Sequence, residues 1–278
     1  MQQKFITIGP LKLAYFEKNH QSKKTIFFIH GNSVSSRSWQ KQLDSDLLNN
    51  YRLIAIDLPG HGGSDISQTP AADYTFHGLG SLMASAIKIL AGEHPYLLAG
   101  LSLGTNILAE ALAYDLNPAG IVLASSCVAG NNITVQDFVL PDTHVFVVFT
   151  GQAADVDVRK YAAEVLYNDN EIDANVFVED YYRTDPQFRS VLANNIAAQN
   201  FSDEIALLQH TKKPLLLIFG KNEEIVNPDY LDGAQLNLWK NEIFKITNAG
   251  HLVNIDSPEN FNTLLAAYAG DCFNLSEV

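Results

Sequence analysis

The sequence predicts an α/β fold in which helices cover both faces of a mostly parallel central sheet. Short apolar runs recur along the chain, longer amphipathic segments separate them, and the runs lack the polar alternation of a half-exposed strand. Strands that are buried on both faces and joined by helical crossovers are typical of parallel sheets. The 278 residues fit one large domain, or one domain that carries a sizeable insertion.

The order of the elements begins with an antiparallel hairpin at one edge of the sheet, formed by residues 5–8 and 11–16 around Gly9-Pro10. Buried strands are then predicted at residues 25–29, 52–56, 96–99, 121–124, 215–219 and 243–246. Apolar residues at i, i+3, i+4, i+7, i+8 and i+11 from Leu79 predict a helix with one buried face. A closing helix is expected after Pro258.

Residues 125–213 interrupt this pattern and predict a helical cap, inserted into a core of residues 1–124 and 214–278. Asp185-Pro186 is a good helix start, whereas the run at 144–149 is ambiguous. The insertion is rich in aromatic residues, which fits a lid over the carboxyl edge of the sheet, where ligands bind in such folds. Packing of the same aromatic side chains onto the main domain is an equally simple interpretation.

The composition limits the classes of partner. With 18 basic and 31 acidic residues, the net charge is −13. No basic cluster is present, and phosphate binding needs concentrated Lys and Arg, so nucleic acids and anionic membranes are not expected partners. Two cysteines, Cys127 and Cys272, fit a reducing compartment. With neither an apolar leader nor a 20-residue apolar run, the protein is expected to be cytoplasmic.

The strongest local motif is Gly100-Leu101-Ser102-Leu103-Gly104, which lies between a predicted strand and a predicted helix. This is the context of a nucleophile elbow, in which a sharp strand-to-helix turn exposes the serine hydroxyl. The two glycines remove side chains that would collide in the turn. Ser102 is therefore the expected nucleophile.

A serine hydroxyl needs a base within hydrogen-bond reach and an acid that orients this base. His251 lies in the loop after the last predicted strand, and in a parallel sheet this loop emerges at the same edge as the elbow. Glu223 follows the strand at 215–219 and is the expected acid, although the pattern does not separate it from Glu224. The order Ser, acid, His along the chain matches this assignment.

The loop at residues 30–33 follows the first parallel strand and is expected to form part of the site. Stabilising the developing oxyanion requires two donors, which we assign to the backbone N–H groups of Asn32 and Leu103. His30 and Ser33 adjoin this position and are predicted to contact substrate. No cluster of His, Asp or Glu has metal-ligand spacing, and neither a metal nor a cofactor is expected.

Taken in order, these motifs resemble the α/β-hydrolase superfamily over nearly the whole chain. The resemblance is carried by residues 30–32, 57–65, 100–104 and 248–251. Most relatives place Asp where Glu223 stands. Dehalogenases and epoxide hydrolases of this fold use Asp as nucleophile, so Ser102 argues against both. Carbon–carbon bond hydrolases of this fold use Ser with a lid arginine, for which three candidates exist: Arg159, Arg183 and Arg189.

A narrower resemblance is to the N-acyl homoserine lactonases of this fold. It rests on residues 30–33, on the Glu acid at Glu223 and on the lid segments 157–162 and 183–185. This resemblance implies that Tyr161 hydrogen-bonds the substrate from the lid.

The sequence thus predicts a cofactor-independent serine hydrolase of a small carboxylic ester or lactone with an apolar acyl part. A ligand-sensing or regulatory protein on the same scaffold, with little turnover, is the alternative from another class. A carbon–carbon bond hydrolase is the third possibility. The sequence does not fix the oligomeric state.

Overall fold

The structure is a computed structural model that describes residues 2–167 and 171–275. Its centre is an eight-stranded sheet. The strands are β1 (Gln3–Ile8), β2 (Leu11–Lys18), β3 (Thr25–Ile29), β4 (Arg52–Ile56), β5 (Tyr96–Leu101), β6 (Gly120–Ala124), β7 (Leu215–Gly220) and β8 (Leu238–Ile246). Their spatial order is β1-β2-β4-β3-β5-β6-β7-β8.

The described α-helices lie between the strands along the chain or after the last strand. They are α1 (Gln40–Leu43), α2 (Pro70–Asp73), α3 (Phe76–Ala91), α4 (Leu103–Ala111), α5 (Val135–Phe138), α6 (Asp155–Glu164), α7 (Glu171–Arg183), α8 (Pro186–Ala197), α9 (Glu204–Thr211), α10 (Val253–Asp256) and α11 (Pro258–Leu275). Short 3-10 helices lie at Ser36–Trp39, Asp46–Leu48, Leu112–Tyr114 and Val145–Phe149.

The pairing of the strands confirms the predicted fold class. The β1–β2 hairpin is antiparallel and joins β4 in antiparallel register, while all pairs from β4 through β3 to β8 are parallel. Every predicted strand is present. The main difference is β8, which begins five residues before the predicted start at 243.

The central strands are buried on both faces, which explains why their sequences lack alternation. In β3, Ile26 and Phe28 belong to the apolar cluster on one side of the sheet, whereas Phe27 and Ile29 belong to the cluster on the other side. All four are fully buried. Burying each such side chain contributes about 1.5–3 kcal/mol. The sheet is therefore a rigid base for the loops at its carboxyl edge.

The described part of residues 125–213 adds α5 to α9 and contributes no strand to the sheet. The ambiguous run at 144–149 is a 3-10 helix. Helix α9 lies beside α4, and Asn106 of α4 donates a hydrogen bond to Glu204 of α9. No helix in the described ranges combines the length and apolar character needed to cross a membrane.

Candidate active site

Ser102 lies at the turn between β5 and α4 with a φ of 52°, a conformation that is strained for any residue other than glycine. The glycines of the motif permit this turn. A Cβ at Gly104 would lie 2.3 Å from the carbonyl oxygen of Ile29, and one at Gly100 would lie 2.7 Å from the backbone of Gly104. Close backbone approach therefore exposes the Ser102 hydroxyl at the carboxyl edge of the sheet.

The structure brings Ser102, His251 and Glu223 together in one hydrogen-bonded relay. The Ser102 hydroxyl lies 2.9 Å from Nε2 of His251, and Nδ1 of His251 lies 2.9 Å from Oε2 of Glu223. Both the imidazole and the carboxylate are almost completely buried. Glu224 is exposed to solvent. The geometry therefore selects Glu223 from the two neighbouring glutamates as the partner of His251.

The carboxylate of Glu223 is anchored by the chain that follows it. Oε1 accepts hydrogen bonds from the N–H groups of Ile225 at 2.9 Å and Val226 at 3.3 Å. These donors, together with Nδ1 of His251, fix the orientation of the carboxylate. The imidazole is consequently held with its proton on Nδ1 and with Nε2 free to accept the proton of Ser102.

Two backbone N–H groups beside Ser102 are available as donors. Leu103 is the first residue of α4, so its N–H has no partner within the helix. Within the described ranges, neither this N–H nor that of Asn32 donates to the protein. Both residues line the cavity that contains Ser102. The side chain of Asn32 points to the insertion instead, donating to the carbonyl of Val148 at 2.6 Å.

His30 and Ser33 are not among the described residues that line the cavity, so the structure does not support their predicted contact with substrate. Both are fully buried. Ser33 donates to Oδ1 of Asn32 and accepts from Arg189. His30 donates from Nδ1 to the carbonyl of Gly31 at 2.7 Å and accepts the N–H of Leu58 on Nε2 at 3.0 Å. The two side chains support the loop that carries Asn32.

A second buried imidazole, His61, packs against His30 with 5.0 Å between ring centroids. It donates from Nδ1 to the carbonyl of Pro59, and its Nε2 accepts the N–H of Ser33. Burial lowers the pKa of both imidazoles. Both rings are therefore neutral near pH 7, with the proton on Nδ1.

The cavity above Ser102 has a predominantly apolar lining that comes largely from the insertion. Five of the aromatic residues that the sequence places in the insertion line it: Phe138, Phe149, Tyr161, Phe177 and Phe201. Others have a structural role, such as Phe188, which is buried against His61. Some of these aromatic residues therefore line the cavity, as expected for a lid, and others pack the insertion onto the main domain.

Within the described ranges, three polar side chains besides that of Asn32 line this cavity together with Ser102 and His251. The phenol of Tyr161 makes no hydrogen bond within the described ranges, and burial raises its pKa, so it is a neutral donor. Cys127 lies 3.7 Å from the Ser102 hydroxyl, and burial raises the pKa of its thiol to about 12. Asn106 is the third.

The sequence analysis missed Asn106 and Cys127 as site residues, although a signal existed for each of them. Asn106 stands four residues after Ser102 on the predicted helix, which places it one turn along the same face. Cys127 follows the strand at 121–124, whose end lies at the same edge as the elbow.

The lid arginines do not line the cavity. Arg159 is exposed and paired with Asp155, and Arg183 is also exposed. Arg189 is buried, but its guanidinium donates to the carbonyls of Thr150, Gly151 and Tyr181 and to Ser33. No arginine described in the structure therefore reaches Ser102 in the manner that a carbon–carbon bond hydrolase would require.

A nucleophile elbow after a central parallel strand, with a histidine after the last strand, defines the α/β-hydrolase class. The comparisons agree with this classification. A family model described as "Alpha/beta hydrolase family" matches residues 26–264, and the chain belongs to that family.

Three relatives show how far the similarity extends. The uncharacterized hydrolase YugF of Bacillus subtilis is 26% identical over 259 residues, covering 91% of this chain and 92% of its own. A 2-hydroxy-6-oxononadienedioate/2-hydroxy-6-oxononatrienedioate hydrolase of Paraburkholderia phymatum is 21% identical over 270 residues, covering 92% and 90%. A solved mutant of the N-acyl homoserine lactonase AidH, complexed with N-hexanoyl homoserine lactone, superposes with a TM-score of 0.89 at 23% identity, covering 98% of both chains.

Proposed function

We propose that this protein is a serine hydrolase that cleaves a carboxylic ester or lactone with an apolar acyl part. The observation that carries the proposal is the relay of Ser102, His251 and Glu223, whose hydroxyl end opens into an apolar cavity. A serine that is activated in this way is suited to attack an acyl carbonyl, and an apolar cavity is suited to hold the attached chain.

In the proposed reaction, Nε2 of His251 accepts the proton of Ser102 as the hydroxyl oxygen attacks the carbonyl carbon. Glu223 stabilises the imidazolium that forms. The tetrahedral intermediate collapses to an acyl-enzyme, and His251 returns the proton to the leaving oxygen. Water then repeats the sequence, with His251 again as base, and releases the acid.

The N–H groups of Asn32 and Leu103 are the proposed donors to the oxyanion. One such donor contributes about 3–4 kcal/mol to transition-state stabilisation. The loop that carries Asn32 is fixed in position, because His61 accepts the N–H of the adjacent Ser33 and Arg189 donates to the Ser33 hydroxyl. A preorganised donor does not have to be reoriented during the reaction.

The insertion at residues 125–213, with its described helices α5 to α9, is proposed to act as a cap, and α5 to α8 supply its chain-binding wall. A lactone is the substrate favoured by the structural similarity to AidH, an N-acyl homoserine lactonase, and by the free phenol of Tyr161 in the cavity. In this proposal, the Tyr161 hydroxyl donates a hydrogen bond to the substrate from the cap. N-acyl homoserine lactones therefore belong in the first substrate panel.

The experiment compares wild type, Ser102→Ala and the control Ser126→Ala on p-nitrophenyl esters of increasing chain length and on N-acyl homoserine lactones. Ser126 is also buried and follows β6, but its hydroxyl accepts a hydrogen bond from Tyr230 and does not contact His251. We expect hydrolysis to disappear in Ser102→Ala and to persist in Ser126→Ala. Retained turnover in folded Ser102→Ala would refute the proposal. A burst of one equivalent without steady turnover would favour the ligand-sensing alternative.

A further inference from the structure

Asn106 is one of the few polar side chains in the predominantly apolar wall near Ser102. It lies in the first turn of α4, is 6% exposed and lines the cavity. Its Nδ2 donates to the backbone carbonyl of Cys127, whose Sγ lies 3.7 Å from the Ser102 hydroxyl, and both residues line the same cavity. The Asn106 amide is therefore close to the position that a carbonyl attacked by Ser102 would occupy.

Both N–H groups of the Asn106 amide are already used. Nδ2 donates to the carbonyl of Cys127 at 2.6 Å and to Oε2 of Glu204 at 2.7 Å. The same Oε2 accepts the N–H of Ala129, so it is an acceptor whether or not the carboxyl group carries a proton. Because both neighbours accept, the amide cannot be flipped, and Oδ1 must be the remaining atom.

Oδ1 of Asn106 receives no hydrogen bond from any residue that the structure describes. Unlike Oε1 of Glu204, which is unpaired and fully enclosed, this oxygen is not completely shielded from solvent, so a ligand in the cavity can reach it. A carbonyl oxygen that is largely withdrawn from water and left unpaired strongly favours a ligand that brings a donor.

We propose that Oδ1 of Asn106 selects substrates with a hydrogen-bond donor at the third atom of the acyl unit, where the scissile carbonyl carbon is the first. The donor is either an O–H group attached to that atom or the N–H of a nitrogen in that position. This inference rests on the proposed function and narrows its substrate class. Two substrate families share this chemistry: 3-hydroxyacyl esters, and lactones with an acylamino group next to the carbonyl. A 3-oxo group offers only an acceptor and meets no free N–H on Asn106.

The first arm of the experiment uses p-nitrophenyl octanoate, 3-hydroxyoctanoate and 3-oxo-octanoate with wild type and Asn106→Leu. In wild type, we expect kcat/KM for the hydroxy ester to exceed that for the oxo ester by about tenfold, the order expected for one buried hydrogen bond. In Asn106→Leu, the ratio of hydroxy ester to octanoate should fall about tenfold. A ratio that does not change would remove the 3-hydroxyacyl esters from the proposed substrate class.

The second arm distinguishes the two sources of the donor. N-hexanoyl homoserine lactone is compared with the analogue in which a methylene replaces the amide N–H. Loss of kcat/KM for the analogue in wild type, but not in Asn106→Leu, would assign the site to the amide. A preference confined to the hydroxy ester would assign it to a hydroxyl. An absence of discrimination in both arms would overturn the proposal.

Two controls separate specificity from folding and from catalysis. Glu204→Gln keeps an oxygen that can accept from Nδ2 of Asn106 and from the N–H of Ala129, so it should preserve the ratio of kcat/KM between the hydroxy ester and octanoate. If no ester or lactone is hydrolysed, the proposed function fails. In that case, calorimetry on Ser102→Ala with methyl 3-hydroxyoctanoate and methyl octanoate still tests the selection by Asn106, because it measures binding without turnover. Equal affinities would refute the selection, and about tenfold tighter binding of the hydroxy ester would support it.

Discussion

Replacing Glu223 with glutamine should reverse the hydrogen-bond polarity of the relay while barely changing its shape. In the native protein, Oε1 accepts two backbone N–H groups and lies 3.1 Å from Nδ1 of His251, while Oε2 makes the shorter contact with Nδ1 at 2.9 Å. The glutamine oxygen must stay with the two backbone donors, so its NH₂ group turns to Nδ1. The imidazole then has to accept at Nδ1 and carry its proton on Nε2, where it faces Ser102 and can no longer act as base.

The magnitude follows from this tautomer change. The corresponding loss of an orienting carboxylate in a serine protease lowers kcat by about 10⁴, and each factor of ten corresponds to about 1.4 kcal/mol in the barrier. We expect a loss of about 10³–10⁴ in kcat for Glu223→Gln. KM should change little, because Glu223 is not part of the described cavity wall.

The assay is steady-state hydrolysis of the best ester or lactone, with Glu224→Gln as the matched control. Glu224 is exposed and makes no contact with His251, so its variant should stay within about twofold of wild type. Circular dichroism and urea unfolding establish that both variants are folded. A folded Glu223→Gln enzyme within tenfold of wild type, or an equal loss in Glu224→Gln, would refute the assigned acid.

Two further predictions concern stability. Arg189→Met removes the buried guanidinium that donates to the carbonyls of Thr150, Gly151 and Tyr181 and should lower the free energy of unfolding in urea by about 1.5–3 kcal/mol, whereas the exposed Arg159→Met should change it by less than about 0.5 kcal/mol. Unchanged stability with lost activity in Arg189→Met would instead place the guanidinium at the substrate. Burial raises the pKa of Asp256 to about 6, so the folded state favours the protonated carboxyl and wild type should lose stability relative to Asp256→Asn as pH rises from 4 to 6. Thermal unfolding across this range checks the prediction, and parallel curves would contradict it.

The parallel core could be predicted because burial on both faces leaves a direct record in the sequence. Strand β8 shows the limit of this record. Its first half contains Lys240, Asn241 and Glu242, which are exposed, and the first two have positive φ. An irregular, polar stretch at the edge of a sheet gives no apolar run, so only the regular end of the strand could be found.

The site could be predicted where local geometry determines it. The elbow requires its glycines at fixed spacing, and the loop with His251 follows a strand of known direction. The choice between Glu223 and Glu224 was open, because it depends on which of two neighbours turns inward. The position of His30 and Ser33 behind the cavity wall could not be predicted for a similar reason: they contact His61 and Arg189, which are distant in sequence.

The paired imidazoles of His30 and His61 give the protein a built-in sensitivity to acid. Each Nε2 accepts a backbone N–H, so an added proton would place two donors face to face inside the core. Folding holds the pKa of both rings down, and the unfolded chain therefore takes up more protons as pH falls below about 6.5. Acidification below about pH 6.5 should consequently destabilise the turn around Asn32.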